Sequence, residues 1–319
     1  MRRDTFLKSM VAMAATAGVP LSALAATNLK MMIPANPGGG WDGTGRALGK
    51  AILDAKAADT VQYENKGGAA GVIGLAQFVN AAKGDPNALI MTGAVMIGGI
   101  ITGKPQVSLE AATPIARLTS EYNVFVVPAE SPIKNMKDVV AMMQKDPGSV
   151  KWGGGSRGST EHICASMLAT KVNVDPKKVN YVAFRGGGEA TAAILGNNVT
   201  VGGSGYSEFA EYIKAGKMRP IGVTSEKRLP GIDVPTLKEQ GFDVVLGNWR
   251  GVYGAPGISA AQRAMLTDVI VKATKSKAWE ESLKSNAWTP ALLTGKAFDE
   301  FVDREFSSLR GIMHLAGMV

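Results

Sequence analysis

The chain has 319 residues, 45% apolar and 19% charged, enough to bury a sizeable core in two domains or one large one. Its net charge of +8 is scattered along the chain and aromatic residues make up only 6%, which excludes a nucleic-acid surface and favours small anionic ligands. One cysteine, Cys164, and two histidines exclude an intramolecular disulfide, a multi-thiolate site and a histidine-based zinc site; neither metal nor cofactor is expected.

Residues 1–25 read as a secretory signal peptide. Arg2, Arg3 and Lys8 precede the apolar run SMVAMAATAGVPLSALAA, which ends in Ala23-Leu24-Ala25, a cleavage-type triplet. The spacing from the arginines to Phe6 departs by one residue from a twin-arginine signal, so general secretion is favoured. Cleavage removes Asp4 and those three basic residues, lowering the net charge by two. The next most apolar run, Leu89 to Ile101, contains three glycines and is too short to span a bilayer. The mature protein is expected to be exported and soluble.

From Asn28 onward, short β-branched or apolar runs alternate with helical periodicity, the pattern of an α/β fold with largely parallel sheets. LKMMI, TVQYEN, NALIMTG, SVKWGG, VNYVAF, VTVGG and MRPIGVTS read as strands. TGRALGKAILDA, VIGLAQFVNAA, SMLATKV, EATAAILGN and SEFAEYIKAGK read as helices. The C-terminal part reads as purely helical, with Leu266, Val269, Ile270 and Ala273 on one stripe and Phe298, Phe301, Val302, Phe306, Leu309 and Ile312 on another. Two longer extended stretches, ARLTSEYNVFVVPAE and FDVVLGNWRGVYGAPG, are each followed by a proline-containing turn. They read as paired crossovers between two lobes, residues 26–124 plus 247–319 and residues 125–246.

A unit of strand, glycine-rich turn and helix recurs at NPGGGWDGT, NKGGAAGVIG, GGGSRGSTEH, FRGGGEAT and GGSGYSEF. Such turns gather at the carboxyl edge of an open α/β sheet, and a helix N-terminus presents N–H groups and partial positive charge. Turns from two lobes facing one another would make a cleft for an anion.

Three chemistries fit glycine turns of this kind. Gly38, Gly40 and Gly43 satisfy the dinucleotide pattern G-x-G-x-x-G, with Glu64 about twenty residues on as a ribose acid. Trp41 inside the turn and Pro34 and Pro37 before it argue against a pyrophosphate site. GGSRG (154–158) satisfies G-x-S-x-G, so the alternative function is an exported serine hydrolase with Ser156 as nucleophile and Asp299 and His314 as partners. His314, however, falls on the polar face of the last helix, and Cys164 sits on a core face with no paired base. The third chemistry, non-covalent capture of a carboxylate, needs only N–H donors, hydroxyls and a guanidinium, and it is favoured over catalysis.

The segments PGGGWD, NKGGAAGVIGLAQF, GDPNALIMTG, TPIARLTSEY, WGGGSRGSTEH, VNYVAFRGGGEA, EKRLPGIDVPTLKEQG and NWRGVYGAPG run colinearly over the mature chain. In them the chain resembles the periplasmic solute-binding component of tripartite tricarboxylate transporters, the Bordetella uptake gene type. The resemblance implies a two-lobed periplasmic-binding-protein fold with two hinge crossovers and a ligand cleft between lobes. It also implies delivery of a bound carboxylate to large and small integral membrane subunits. GGGWD is similar to the tricarboxylate-binding branch, which points to citrate or a related carboxylate, whereas GDPNALIMTG departs from the DGYTLL-like form common in the family.

Carried onto this sequence, the resemblance makes the first glycine turn and the facing turns of the second lobe the ligand cradle. Gly39, Gly40, Trp41 and Asp42 are expected to offer backbone N–H groups, with helix capping the competing role for Asp42. Thr92 offers a hydroxyl at a strand's carboxyl end. Among Ser156, Ser159 and Thr160, one caps the following helix and the others face ligand; His162 is expected to be neutral. Arg185, followed by Gly186, is the leading carboxylate partner because a guanidinium grips a carboxylate bidentately. Arg157, Ser204 and Tyr206 complete the candidate set, and Trp249 and Arg250 lie at the return crossover.

Overall fold

The computed structural model describes residues 28–319; the expected signal peptide lies outside them. In chain order the elements are β1 (Asn28–Ile33), α1 (Gly40–Asp54), β2 (Thr60–Asn65), α2 (Val72–Ala81), β3 (Ala88–Gly93), α3 (Ala94–Gly103), β4 (Thr113–Pro128) and α4 (Met136–Lys145). Next come β5 (Lys151–Gly154), α5 (Thr160–Lys171), β6 (Asn180–Ala183), α6 (Gly187–Leu195), β7 (Val201–Gly205), α7 (Tyr206–Lys214) and β8 (Met218–Val223). The last elements are β9 (Gly247–Gly254), α8 (Ala260–Ala273), α9 (Lys277–Ser285), β10 (Thr289–Thr294) and α10 (Gly295–Leu315).

The strands are joined through β4, which is 16 residues long. Its first part lies between β9 and β10, with Thr113 to Tyr122 pairing β9. Its second part, from Asn123 to Pro128, lies between β7 and β8. Beyond β9 the sheet continues through β3, β1 and β2, and beyond β7 through β5 and β6. The β1–β2, β1–β3, β5–β6 and β5–β7 pairs are parallel, while every pair made by β4, and the β3–β9 pair, is antiparallel. The expectation of largely parallel sheets therefore holds for the wings and fails at the centre, where the chain crosses between halves by long strands instead of helices.

Burial follows the same division. Leu29, Met31 and Ile33 of β1 pack with Leu48 and Ile52 of α1, Leu266 and Ile270 of α8, and Phe298 and Val302 of α10. All six residues of β3 are buried, as expected of a central strand covered on both faces. In the other half, Phe125, Trp152, Cys164 and Leu168 share one cluster, and Val124, Val126, Ile194 and Phe209 share another on the opposite sheet face. Phe125 meets Trp152 edge-on at 5.1 Å between centroids. Burial pushes the Cys164 thiol up, as befits a structural cysteine.

The predicted C-terminal stripes are seen in α8 and α10, where Leu266, Val269, Ile270, Ala273, Phe298, Val302 and Leu309 are buried. The segment is not purely helical, however. TPALLT forms β10, a largely exposed edge strand whose register on β4 shifts between Pro290 and Leu293. Its side chains show no clean inside–outside alternation, so the period-2 signal is missing.

Where the halves join, Thr224 ties the crossover segments together. Its amide donates to Asn123 O (3.0 Å), its hydroxyl accepts from Asn123 N (3.1 Å) and donates to Leu246 O (2.9 Å), and Leu246 N donates to Thr224 O (3.1 Å). Thr224 is fully buried, so Thr224→Val leaves an amide and a carbonyl without their partner. We expect chemical denaturation to show a loss of about 1–3 kcal/mol, the cost of unsatisfied buried polar groups; an unchanged midpoint would mean the hydroxyl does not tie the segments.

Candidate ligand-binding cleft

The glycine turns follow the carboxyl ends of strands in both halves, and one cavity collects them. Pro34, Ala35, Gly39, Gly40 and Trp41 line it from the β1–α1 turn, and Gly68, Ala70 and Gly71 from the turn after β2. Opposite stand Gly155, Ser156, Ser159 and Glu161 after β5, Arg185, Gly186 and Gly187 after β6, and Ser204 and Glu208 at β7–α7. Asn248 and Arg250 of β9 also line it. The cavity holds about 80 Å³, well below the roughly 300–1,000 Å³ of a typical ligand site. The halves are drawn nearly shut: Asn36 Nδ2 donates to Glu189 Oε1 at 2.7 Å, and a Cβ on Gly39 would stand 3.0 Å from Gly187 N.

A buried charge cluster lies at the base. Arg250, 2% exposed, is ion-paired with Glu121, donates from Nη1 to Thr44 Oγ1 (2.9 Å), and places Nη2 3.5 Å from Glu208 Oε1. Trp288 Nε1 and Ser207 Oγ, each at 3.1 Å, hold the other oxygen of Glu121. Burial lowers Arg250 to about 9. Glu208 faces the first turn of α1 across the cleft, and the Ser204 hydroxyl and the Gly40 and Gly205 amides act to lower its pKa. Gly40 is required here by close approach: a Cβ would overlap the Arg250 guanidinium and stand 2.8 Å from Glu208 Oε1. Burial, against the lowering effect of the Ser204 hydrogen bond, pushes Glu208 up to about 7, with the charge of Glu161 adding to the rise.

The structure brings together Gly39, Gly40, Trp41, Ser156, Ser159, Arg185, Gly186 and Ser204 of the expected set. It does not bring Asp42, Thr92, Arg157, Thr160, His162 or Tyr206 to the cavity. Asp42 turns back onto Gly38 N (3.1 Å), Arg46 Nε (3.0 Å) and Asn65 Nδ2 (3.0 Å), the bracing role that competed with ligand contact. Thr92 is fully buried with its hydroxyl on Met96 Sδ (3.5 Å). Thr160 Oγ1 donates to Asn123 Oδ1 (3.3 Å), and Tyr206 packs against the cluster around Phe209. Arg157 is exposed and lines a different depression with His162. His162 accepts from Gly158 N through Nδ1 (3.1 Å), stacks on Tyr181 at 4.1 Å, and is lowered to about 4 by burial, with Arg157 adding to the shift, so it is neutral as expected.

Neither expected partner of Ser156 joins it. Asp299 pairs with Arg263 at 2.6 Å, and His314 is exposed with Nδ1 3.2 Å from Val319 O. Ser159 stands at the N-cap of α5, yet its hydroxyl meets Tyr181 Oη at 3.0 Å instead of capping. Sequence reasoning missed Glu161, Glu208 and Asn248 and left Arg250 at the hinge. The signal for the two acids was present: each glutamate stands in the first helical turn after a glycine turn.

The family model for the tripartite tricarboxylate transporter family receptor matches residues 47–317. The chain belongs to this receptor family. It is 26% identical to Protein BugT of Bordetella pertussis over 312 residues, covering 95% of this chain and 94% of that one. In fold it resembles the periplasmic binding protein BugD (TM-score 0.83, 22% identity, covering 92% and 98%) and MatC of Rhodopseudomonas palustris with bound malate (TM-score 0.78, 19% identity, covering 90% and 98%). The receptor thus has the expected α/β periplasmic-binding-protein architecture.

The raised Glu208 carboxyl gives this receptor a pH signature. A carboxyl with a folded pKa near 7 and an ordinary value of 4.5 holds its proton longer when folded, so its contribution to stability falls as pH rises between those values. In Glu208→Gln that loss is absent, and the melting temperature of the variant relative to wild type should climb from pH 5 to pH 7.5. His162 has the opposite slope but is common to both proteins and cancels. A difference that stays flat over this range would contradict a buried, protonatable Glu208.

Proposed function

We propose that this receptor is exported to the periplasm, captures a small organic carboxylate in the cleft, and delivers it to the large and small integral membrane subunits of a tripartite tricarboxylate transporter. The observation that carries the proposal is the gathering of glycine turns from both halves around one cavity. One ligand carboxylate docks against Arg185, which makes no ion pair among the described residues, and against first-turn amides of α1 and α6 such as those of Trp41 and Gly187, which have no intrahelical acceptor. The receptor acts by binding and closure, not by catalysis, in keeping with the binding proteins it resembles.

Closure is a hinge motion about the two crossovers, between lobes of residues 26–124 plus 247–319 and residues 125–246. Supporting that division, β4 exchanges its partners between Tyr122 and Asn123. The narrow cavity fits a closed form, and ligand enters when the lobes part. Residues 1–25 act as the export signal. The malate in MatC supports a carboxylate ligand. Citrate, expected from the PGGGWD resemblance, would bring three carboxylates to a cavity whose lining cations are Arg185 and the already paired Arg250.

A thermal-shift panel of citrate, malate and adipate, with NAD and an ester as controls, tests the proposal. A ligand at a hundredfold excess over its Kd should stabilise the protein by about 2.7 kcal/mol, and the controls should do nothing. Arg185→Met should weaken binding of the same ligand by about 1.5–3 kcal/mol, the range for hydrogen bonds to charged groups. A variant that binds as tightly as wild type would remove Arg185 from the site, and ester turnover without any carboxylate shift would favour the hydrolase.

A further inference from the structure

Arg157 and His162, both expected in the cleft, meet instead in a separate cavity of about 300 Å³. It shares no lining residue with the cleft. Along the 155–159 loop, Gly155, Ser156 and Ser159 face the cleft, while Arg157 faces this second cavity. One wall carries Arg157, His162, the buried Ser166 of α5 and Lys177 of the short Pro176–Lys178 turn. The other carries Thr102 near the end of α3 and Met318 beyond α10. Close backbone packing fixes both walls: a Cβ on Gly158 would stand 2.7 Å from Gly98 O, and one on Gly317 2.9 Å from Pro176 Cγ.

The charge at this cavity has one sign. Arg157 and Lys177 make no ion pair among the described residues, and none of the lining residues is an acid. Asp175, two residues before Lys177, accepts from the Lys177 amide at 3.0 Å and caps its own turn. His162 adds a neutral donor. Its Nδ1 accepts from Gly158 N at 3.1 Å, which puts the ring proton on Nε2, and stacking on Tyr181 at 4.1 Å fixes the ring. Burial, aided by the Arg157 charge, keeps this ring neutral. Two unpaired cations beside an imidazole N–H, with no acid to balance them, concentrate anions in a concave site.

We propose that this cavity is a second anion site, distinct from the cleft, which takes a phosphoryl group or similar tetrahedral oxyanion. The Arg157 guanidinium supplies paired donors, the Lys177 ammonium a point charge, and the His162 ring a single N–H. An oxyanion with three or four oxygens can satisfy donors of all three kinds at once, whereas a carboxylate has two oxygens in one plane. The site does not depend on what the cleft holds.

Calorimetric titration of the purified protein with inorganic phosphate and with glycerol phosphate, against chloride at matched ionic strength, tests it. Phosphate or its ester should bind at one saturable site, and chloride should not. Arg157→Gln and Lys177→Gln change exposed side chains and should each weaken that binding about 10- to 100-fold, the effect of a hydrogen bond between charged groups. Arg185→Met, in the cleft, should leave it unchanged. Tighter binding of the ester would support an organic phosphate as the occupant, and tighter binding of free phosphate the inorganic ion. Failure of both to saturate would overturn the site. So would binding that Arg185→Met removes and the other two variants keep, since the phosphate would then sit in the cleft and the carboxylate-receptor proposal would stand untouched.

Discussion

A single strand forces the rest of the arrangement. β4 hydrogen-bonds into two half-sheets in succession, and β9 runs back beside it. A strand cannot change partners midway without carrying the two sets of parallel strands apart, one on each side of the junction. Thr224, bonded to Asn123 and Leu246, fixes that junction. With β1 and β3 on one side and β5, β6 and β7 on the other, the carboxyl ends of both sets line the same cleft. The topology thus delivers the glycine turns of both halves to one cavity at the carboxyl ends of the strands.

The electrostatics of that cleft differ from those of a bare ring of helix N-termini. Amides at helix mouths attract anions, yet in α5 and α7 a first-turn glutamate lines the cavity. Arg250 does not reverse the balance, because Glu121 lies against it. What remains is polarised: a guanidinium and unshared amides toward the rim, and carboxylates toward the floor. The same burial that raises Glu208 makes its ionisation sensitive to what occupies the cavity.

Much of the fold was legible because its signals are local. TVQYEN coincides with β2, and the apolar stripes of α8 and α10 are buried as their spacing requires. Long extended stretches announced β4 and β9, since no helix pattern fits them. α3 was hidden: AVMIGGIITG is apolar on all faces and has no amphipathic period. β10 was hidden by exposure and by Pro290. At the site, glycine turns named the right loops, but side-chain direction decided the members. Asp42, Thr160 and His162 point into local hydrogen bonds, whereas Glu161 and Glu208, read as ordinary helix residues, face the cavity. Arg250 depends on pairing across β4, β9 and α1, which no local pattern encodes.

The most direct test is a crystal structure of the receptor with its tightest ligand bound. The expected result is a ligand spanning both lobes, with a carboxylate oxygen within hydrogen-bond distance of Arg185 or a first-turn amide of α1 or α6. A ligand seated outside the cleft, or touching one lobe alone in a closed molecule, would contradict it.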